Sequence, residues 1–232
     1  PLYITGIAKG SGMIRPDFAT LLSFVFTDAQ VPRNLLNKTH REALEASYER
    51  MTVDGETSPN DSSMLVATGK SSTKINNKYK QKKFIEGIKE VYQKLTTKLI
   101  EDAEGSTKVI KVNVIKAGTD SEAKSVAFEI AESPLVKTAL FGNDANWGRI
   151  LSVIGRNKKI KDISKVGINI NEVPVVQRGN IHPKHNEVKA NKAVKSNYIL
   201  IDIILNSGNA NFSVLTSDLS KEYVAINSDY RS

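Results

Sequence analysis

Between positions 6 and 29 the chain changes character at a single bond. Up to Ala19 the residues, GIAKGSGMIRPDFA, are Gly-rich and irregular; after it Thr20 leads into Leu21, Leu22, Phe24, Val25 and Phe26. A short apolar run of this kind predicts a fully buried strand over residues 20–29, with Thr20 at its start. Gly6, Gly10 and Gly12 let the backbone before it fold closely around that point. A hydroxyl opening a buried strand behind a residue as small as Ala19 is the layout of a self-processing N-terminal nucleophile. Cleavage there frees an α-amine beside the same hydroxyl. With an unperturbed pKa of about 7.7–8.0, that amine can take the hydroxyl proton near neutral pH. A Thr at a strand start is also an ordinary β-branched strand former, so the surroundings must decide.

Downstream, helix-like and strand-like segments alternate. Residues 32–51 read as a helix opened by Pro32, and Asp54-Gly55 marks a tight turn. Residues 63–68 read as a buried strand. Residues 84–100, with Phe84, Ile88, Val91, Leu95 and Leu99 at helical spacing, form an amphipathic helix. Residues 109–115 alternate as a half-buried strand, and 121–131 and 147–154 are helical. Strands follow at 166–170, 198–205 and 211–216, then a closing helix or turn at 219–226; residues 182–193 read as a polar loop. The succession predicts an α/β fold, with a sub-boundary placed near 156–164.

Composition narrows the chemistry. Without Cys there is no disulfide framework, thiolate nucleophile or Cys-bound zinc. His40 sits in a predicted helix, while His182 and His185 form H-P-K-H, a spacing unsuited to zinc. No G-x-S-x-G elbow or Walker sequence is present. No apolar run reaches the roughly 18 residues of a membrane span, and a cytoplasmic protein is expected. The net charge of +8 concentrates in part at residues 70–89. Arg is sparse there, and a Lys-rich helix start reads as a solvated face rather than a nucleic-acid surface. The chain opens at Pro1, and the expectation is a processed piece of a longer protein.

KGSGM, P-x-x-A-T with its hydrophobic strand, TVDGETSPND, EGSTK, SPLVKTALFGNDANWGRI and the terminal YVAINSDYRS stand in that order along the chain. Together they resemble the ornithine acetyltransferase, or glutamate N-acetyltransferase, family around its autoproteolytic junction. That resemblance implies a layered helix–sheet–sheet–helix architecture, like that of N-terminal nucleophile hydrolases but distinct in topology. It makes residues 1–19 the tail of an α chain and 20–232 the β chain, cut between Ala19 and Thr20. Thr20 matches the nucleophile; Lys9, Glu104, Asn227 and Ser232 match substrate-binding positions, Ser232 standing where the family commonly ends in Thr. Asp54, Asp61, Asp144 and Arg149 lie in the strongest motifs and read as scaffolding.

The implied reaction is ping-pong transfer of acetyl from N2-acetylornithine to glutamate, with no metal or organic cofactor and acetyl-CoA as an additional donor in some members. The implied partner is the upstream α chain, in an α2β2 assembly. The family's oxyanion-hole pair belongs to the portion before Pro1. Two alternatives stay open: a paralogue serving another acetyl-amine pair, and a non-catalytic, nucleic-acid-binding fragment.

Overall fold

The computed structural model describes residues 2–15, 21–60 and 62–230. The chain divides into two compact units, 1–102 and 103–232. Both combine sheet and helix, in agreement with the α/β expectation.

The first unit holds β1 (Ile4–Lys9), β2 (Leu22–Thr27), α1 (Arg33–Glu45), β3 (Met51–Thr52), β4 (Ser62–Ala67) and α2 (Lys78–Glu101). Its three-stranded sheet runs β1-β2-β4, antiparallel between β1 and β2 and parallel between β2 and β4. The Gly-rich arm is thus not irregular throughout, since residues 4–9 form a strand. Gly6 explains how the strand fits: a Cβ there would lie 2.8 Å from Leu95 Cδ1 and 2.9 Å from Val91 Cγ1 of α2. Only a glycine lets strand and helix approach so closely.

The apolar run of β2 is buried on one face only, which corrects the fully buried reading. Ser23, Val25 and Thr27 are buried, whereas Leu22 and Phe26 remain 40% and 41% exposed. Across the sheet Ile7 pairs with Phe24, and Phe24 with Met64. Ile7 and Met64 are exposed as well, so one side of the sheet presents an apolar surface. The expected buried strand at 63–68 is likewise only partly covered.

The helix expected over 32–51 stops at Glu45. Ser47 Oγ donates to Ala43 O at 2.5 Å, a local bond of the kind that competes with continued helix, and a 3-10 turn at Tyr48–Arg50 follows. α2 starts earlier than expected because Asn77 accepts the Lys80 N–H at 2.9 Å as its N-cap. Its first turns carry exposed lysines, and Lys82 and Lys83 lie 4.0 and 3.4 Å from Glu86.

The second unit contains β5 (Val109–Ala117), α3 (Asp120–Ala131), α4 (Pro134–Phe141), α5 (Trp147–Arg156), β6 (Gly167–Ile170), β7 (Val173–Gln177), β8 (Asn180–Ile181), α6 (Glu187–Ala193), β9 (Tyr198–Ile204), β10 (Ala210–Ser217) and α7 (Lys221–Asp229). Within this unit the strands lie in the order β10-β5-β9-β6-β7-β8, with β5 antiparallel to β10 and parallel to β9. Val112 and Val114 of β5 meet Ala123, Val126, Ala127 and Ile130 of α3 in the core, with Ile150 and Ile154 of α5 beside them.

Residues 156–164 lie inside this unit and are tied to it. Asn157 is buried, its Nδ2 donating to Glu129 Oε1 at 2.8 Å and Ser125 Oγ at 3.0 Å. The loop expected at 182–193 is half helix, since α6 is capped by Asn186. Among the described residues no helix is long and apolar enough to cross a membrane.

Candidate functional site

Ala19, Thr20 and Ser232 lie outside the described residues, as does Asp61. The strand that follows Thr20 is described from its first residue. Leu22, two positions after Thr20, pairs with Lys9 at the end of β1.

Lys9 borders a cavity of about 620 Å³ in the first unit, lined by Ala8, Gly10, Ser11, Lys98, Glu101 and Asp102 among others. The lining mixes ammonium and carboxylate groups, as a recess for a small zwitterion would. The segment after Lys9 is held by the TVDG turn. Asp54 Oδ2 accepts the Met13 N–H at 2.7 Å, and Oδ1 accepts the Ile14 N–H at 3.1 Å. Thr52 Oγ1 and the Val53 N–H both donate to Ile14 O. Asp54 is therefore a clamp on the segment at Met13 and Ile14, a role that its turn-forming sequence does not disclose.

In the second unit the structure joins two expected site residues that stand 123 positions apart. Asn227 Nδ2 donates to Glu104 Oε2 at 2.8 Å, and also to Tyr223 O at 3.0 Å within α7. Asn227 is exposed and Glu104 half-buried, so the carboxylate keeps acceptor capacity toward solvent while the amide fixes its rotamer. A carboxylate held in this way suits recognition of an ammonium group.

The loop carrying Glu104 is built around two buried charges that the sequence reading passed over. Lys108 is 7% exposed; its Nζ donates to Leu140 O at 2.6 Å, Asn143 Oδ1 at 2.7 Å and Val194 O at 2.7 Å. Three oxygens match the three donors of an ammonium. Burial pushes the Lys108 ammonium below its usual pKa, against the pull of the Asp218 carboxylate. Asp218 accepts from the Thr107 N–H at 2.9 Å, from the Lys108 N–H at 3.1 Å and from the Thr107 hydroxyl. The visible hint was Lys108 as the last letter of EGSTK; Asp218 gave none.

Asp144 and Arg149 organise the α4–α5 region. Asp144 Oδ2 accepts from Asn146 Nδ2 at 2.9 Å, and Arg149 Nη1 donates to Leu135 O at 2.7 Å. H-P-K-H forms a turn in which the His182 Nδ1 accepts the Lys184 N–H. Among the described residues no three His, Asp or Glu side chains gather as metal ligands. A separate polar cluster lies beneath β2 and β4. His40 Nε2 is 3.1 Å from Ser63 Oγ, Tyr48 Oη is 2.7 Å from Ser23 Oγ, and Tyr48 meets Tyr92 edge-on at 5.3 Å. Burial pushes the Tyr92 phenol up to about 12 and His40 down.

Known proteins match this chain along its whole length. The sequence profile of the ArgJ family matches residues 1–232. The arginine biosynthesis bifunctional protein ArgJ of Syntrophotalea carbinolica is 41% identical over all of this chain, which covers 59% of that protein. The protein of the same name from Pseudomonas fluorescens is 39% identical over 99% of this chain and 58% of its own length. The chain therefore spans less than two thirds of the curated relatives it matches. The crystal structure of ArgJ from Bacillus halodurans superposes with a TM-score of 0.82 at 32% identity, over 89% of this chain and 98% of that one.

Proposed function

The chain belongs to the ArgJ family, and from that premise we propose that it is the nucleophile-bearing part of an acetyltransferase of arginine biosynthesis. In this reading the precursor cuts itself between Ala19 and Thr20, which frees the Thr20 amine. Thr20 Oγ then attacks the acetyl carbonyl of N2-acetyl-L-ornithine. Its proton passes through the Thr20 amine to the departing ornithine nitrogen, leaving acetyl as an ester on Thr20. The amine of L-glutamate attacks that ester, gives up a proton by the same route in reverse, and leaves as N-acetylglutamate.

Lys9, Glu104, Asn227 and Ser232 serve recognition. The ammonium of Lys9 suits a substrate carboxylate, and the carboxylate of Glu104 suits the amine of an ornithine-like ligand. No metal or organic cofactor is required. Acetyl-CoA is a second donor to be tried.

The observation that carries the reading is the hydrogen bond between Glu104 and Asn227. It brings together two remote residues that both match substrate-binding positions. The apolar sheet face around Ile7, Leu22, Phe26 and Met64 is a surface for the remainder of the α chain, whose tail already supplies Ile7 and which would also supply the anion-stabilising donors, in a cytoplasmic α2β2 enzyme. The direct test is Thr20→Ala in the full-length precursor. One unbroken polypeptide is expected, and a variant still cut at the same bond would refute processing by Thr20.

A further inference from the structure

The Glu104–Asn227 pair is formed by two segments that leave the sheet at one end. β5 begins at Val109, directly after the Glu104 loop, and β10 ends at Ser217, directly before the segment leading into α7; Ser217 and Val109 are register partners. Nearer the sheet than the Glu104–Asn227 bond, the two segments are tied by a buried side chain, Asp218, which is 3% exposed. Its carboxylate receives both N–H groups of Thr107 and Lys108 and the Thr107 hydroxyl, a sequence separation of about 110 positions. Three donors on one buried carboxylate make a charge-assisted set, stronger than neutral bonds.

The fit continues outward from that clamp. Gly105 has φ +64°, and a Cβ there would lie 2.5 Å from the Tyr223 N and 2.6 Å from Ser220 Oγ. The loop thus lies directly against the first turn of α7, whose N-cap Ser220 accepts the Tyr223 N–H at 3.2 Å. Asn227 follows on the same helix, within reach of Glu104.

We propose that Asp218 is a positioning residue for substrate recognition, setting the Glu104 carboxylate and the Asn227 amide at a fixed separation. This rests on the reading of Glu104 as the group that binds the substrate amine. Asp218 touches no substrate; it acts through Glu104. Loosening the clamp lets the Glu104 loop sample other positions, so the cost falls on binding rather than on the acyl-transfer step.

The experiment is a mutant cycle in the complete enzyme, measuring KM for N2-acetylornithine and kcat for the parent, Asp218→Asn, Glu104→Gln and the double variant. Asp218→Asn keeps the shape but replaces an acceptor by a donor. It should raise KM about tenfold, the equivalent of losing one such bond, and hold kcat within about twofold. In the Glu104→Gln background the same change should raise KM less than about twofold, because the group it positions is already gone. A role in stability alone would persist undiminished in that background, and that result overturns the proposal. Thr107→Val, which removes only the hydroxyl donor at an exposed position, should give a smaller KM rise that also vanishes with Glu104→Gln. An unchanged KM in Thr107→Val overturns the proposal even if Asp218→Asn fails to fold. If Glu104→Gln itself leaves KM unchanged, the underlying reading of Glu104 falls and the proposal with it; that arm distinguishes the two failures.

Discussion

Adding a single methyl group at Gly105 should destabilise the second unit, while the same methyl at Gly155 should not. At Gly105 two costs combine. The φ of +64° puts an L-residue in the left-handed region, at about 1–2 kcal/mol. The new Cβ would also overlap the Tyr223 N and Ser220 Oγ. A backbone atom cannot rotate away, so α7 must shift, at roughly 1–3 kcal/mol for overpacking. The sum is about 2–5 kcal/mol, and at about 2–4 °C per kcal/mol for a chain of this size a central value near 3 kcal/mol lowers Tm by about 6–12 °C. Gly155 lies in α5, and a Cβ there meets nothing within 4 Å. Alanine should leave Tm unchanged or raise it slightly, by up to about 1 kcal/mol of helix propensity. Differential scanning calorimetry of the two variants beside the parent reads both signs. A Gly105→Ala protein melting within about 2 °C of the parent would refute the seating of α7 against the Glu104 loop.

Two further outcomes follow from the first unit. His40 is held below its ordinary pKa by burial, so the unfolded chain binds its proton more readily, and stability present above about pH 6.5 is lost as pH falls through the folded value; Tm should drop between pH 7 and 5 more steeply for the parent than for His40→Gln, and equal slopes would remove His40 from the account. The exposed apolar sheet face predicts that this chain by itself associates or binds a hydrophobic dye, that Ile7→Thr with Phe26→Thr reduces this, and that the upstream polypeptide suppresses it; sedimentation velocity of the chain with and without that polypeptide decides, and an unchanged distribution contradicts the covering role.

Much of the fold was legible because helical and strand periodicities are local. The core face of α2 could be read from Phe84, Ile88 and Leu99, all buried, and β5 from the alternation of Val112 and Val114 with Lys111. β1 was missed because its register is written in contacts instead of side-chain hydrophobicity: Gly6 looks like a turn residue until Val91 and Leu95 are seen against it. α4 escaped notice because its polar position points inward, with Lys137 buried and its Nζ donating to Thr216 Oγ1 at 2.8 Å. The one-sided burial of β2 was not readable either, since an apolar run looks the same whether or not its second face is covered. For the site, family motifs singled out Glu104 and Asn227 separately. That they share a hydrogen bond, and that Asp218 links the segments carrying them, depends on strand register between β5 and β10, which no local pattern encodes.

The central claim is that Thr20 carries the acetyl group, and mass spectrometry of the processed enzyme tests it most directly. Incubation with N2-acetylornithine and no acceptor should add a single acetyl group to the chain that begins at Thr20. Peptide mapping should place it on the Thr20 peptide, and glutamate should remove it. The ester should form poorly at acidic pH, where the Thr20 amine is protonated and cannot accept the hydroxyl proton. Transfer at full rate with no acetyl ever found on the Thr20 peptide would contradict the account and indicate direct transfer between two bound substrates.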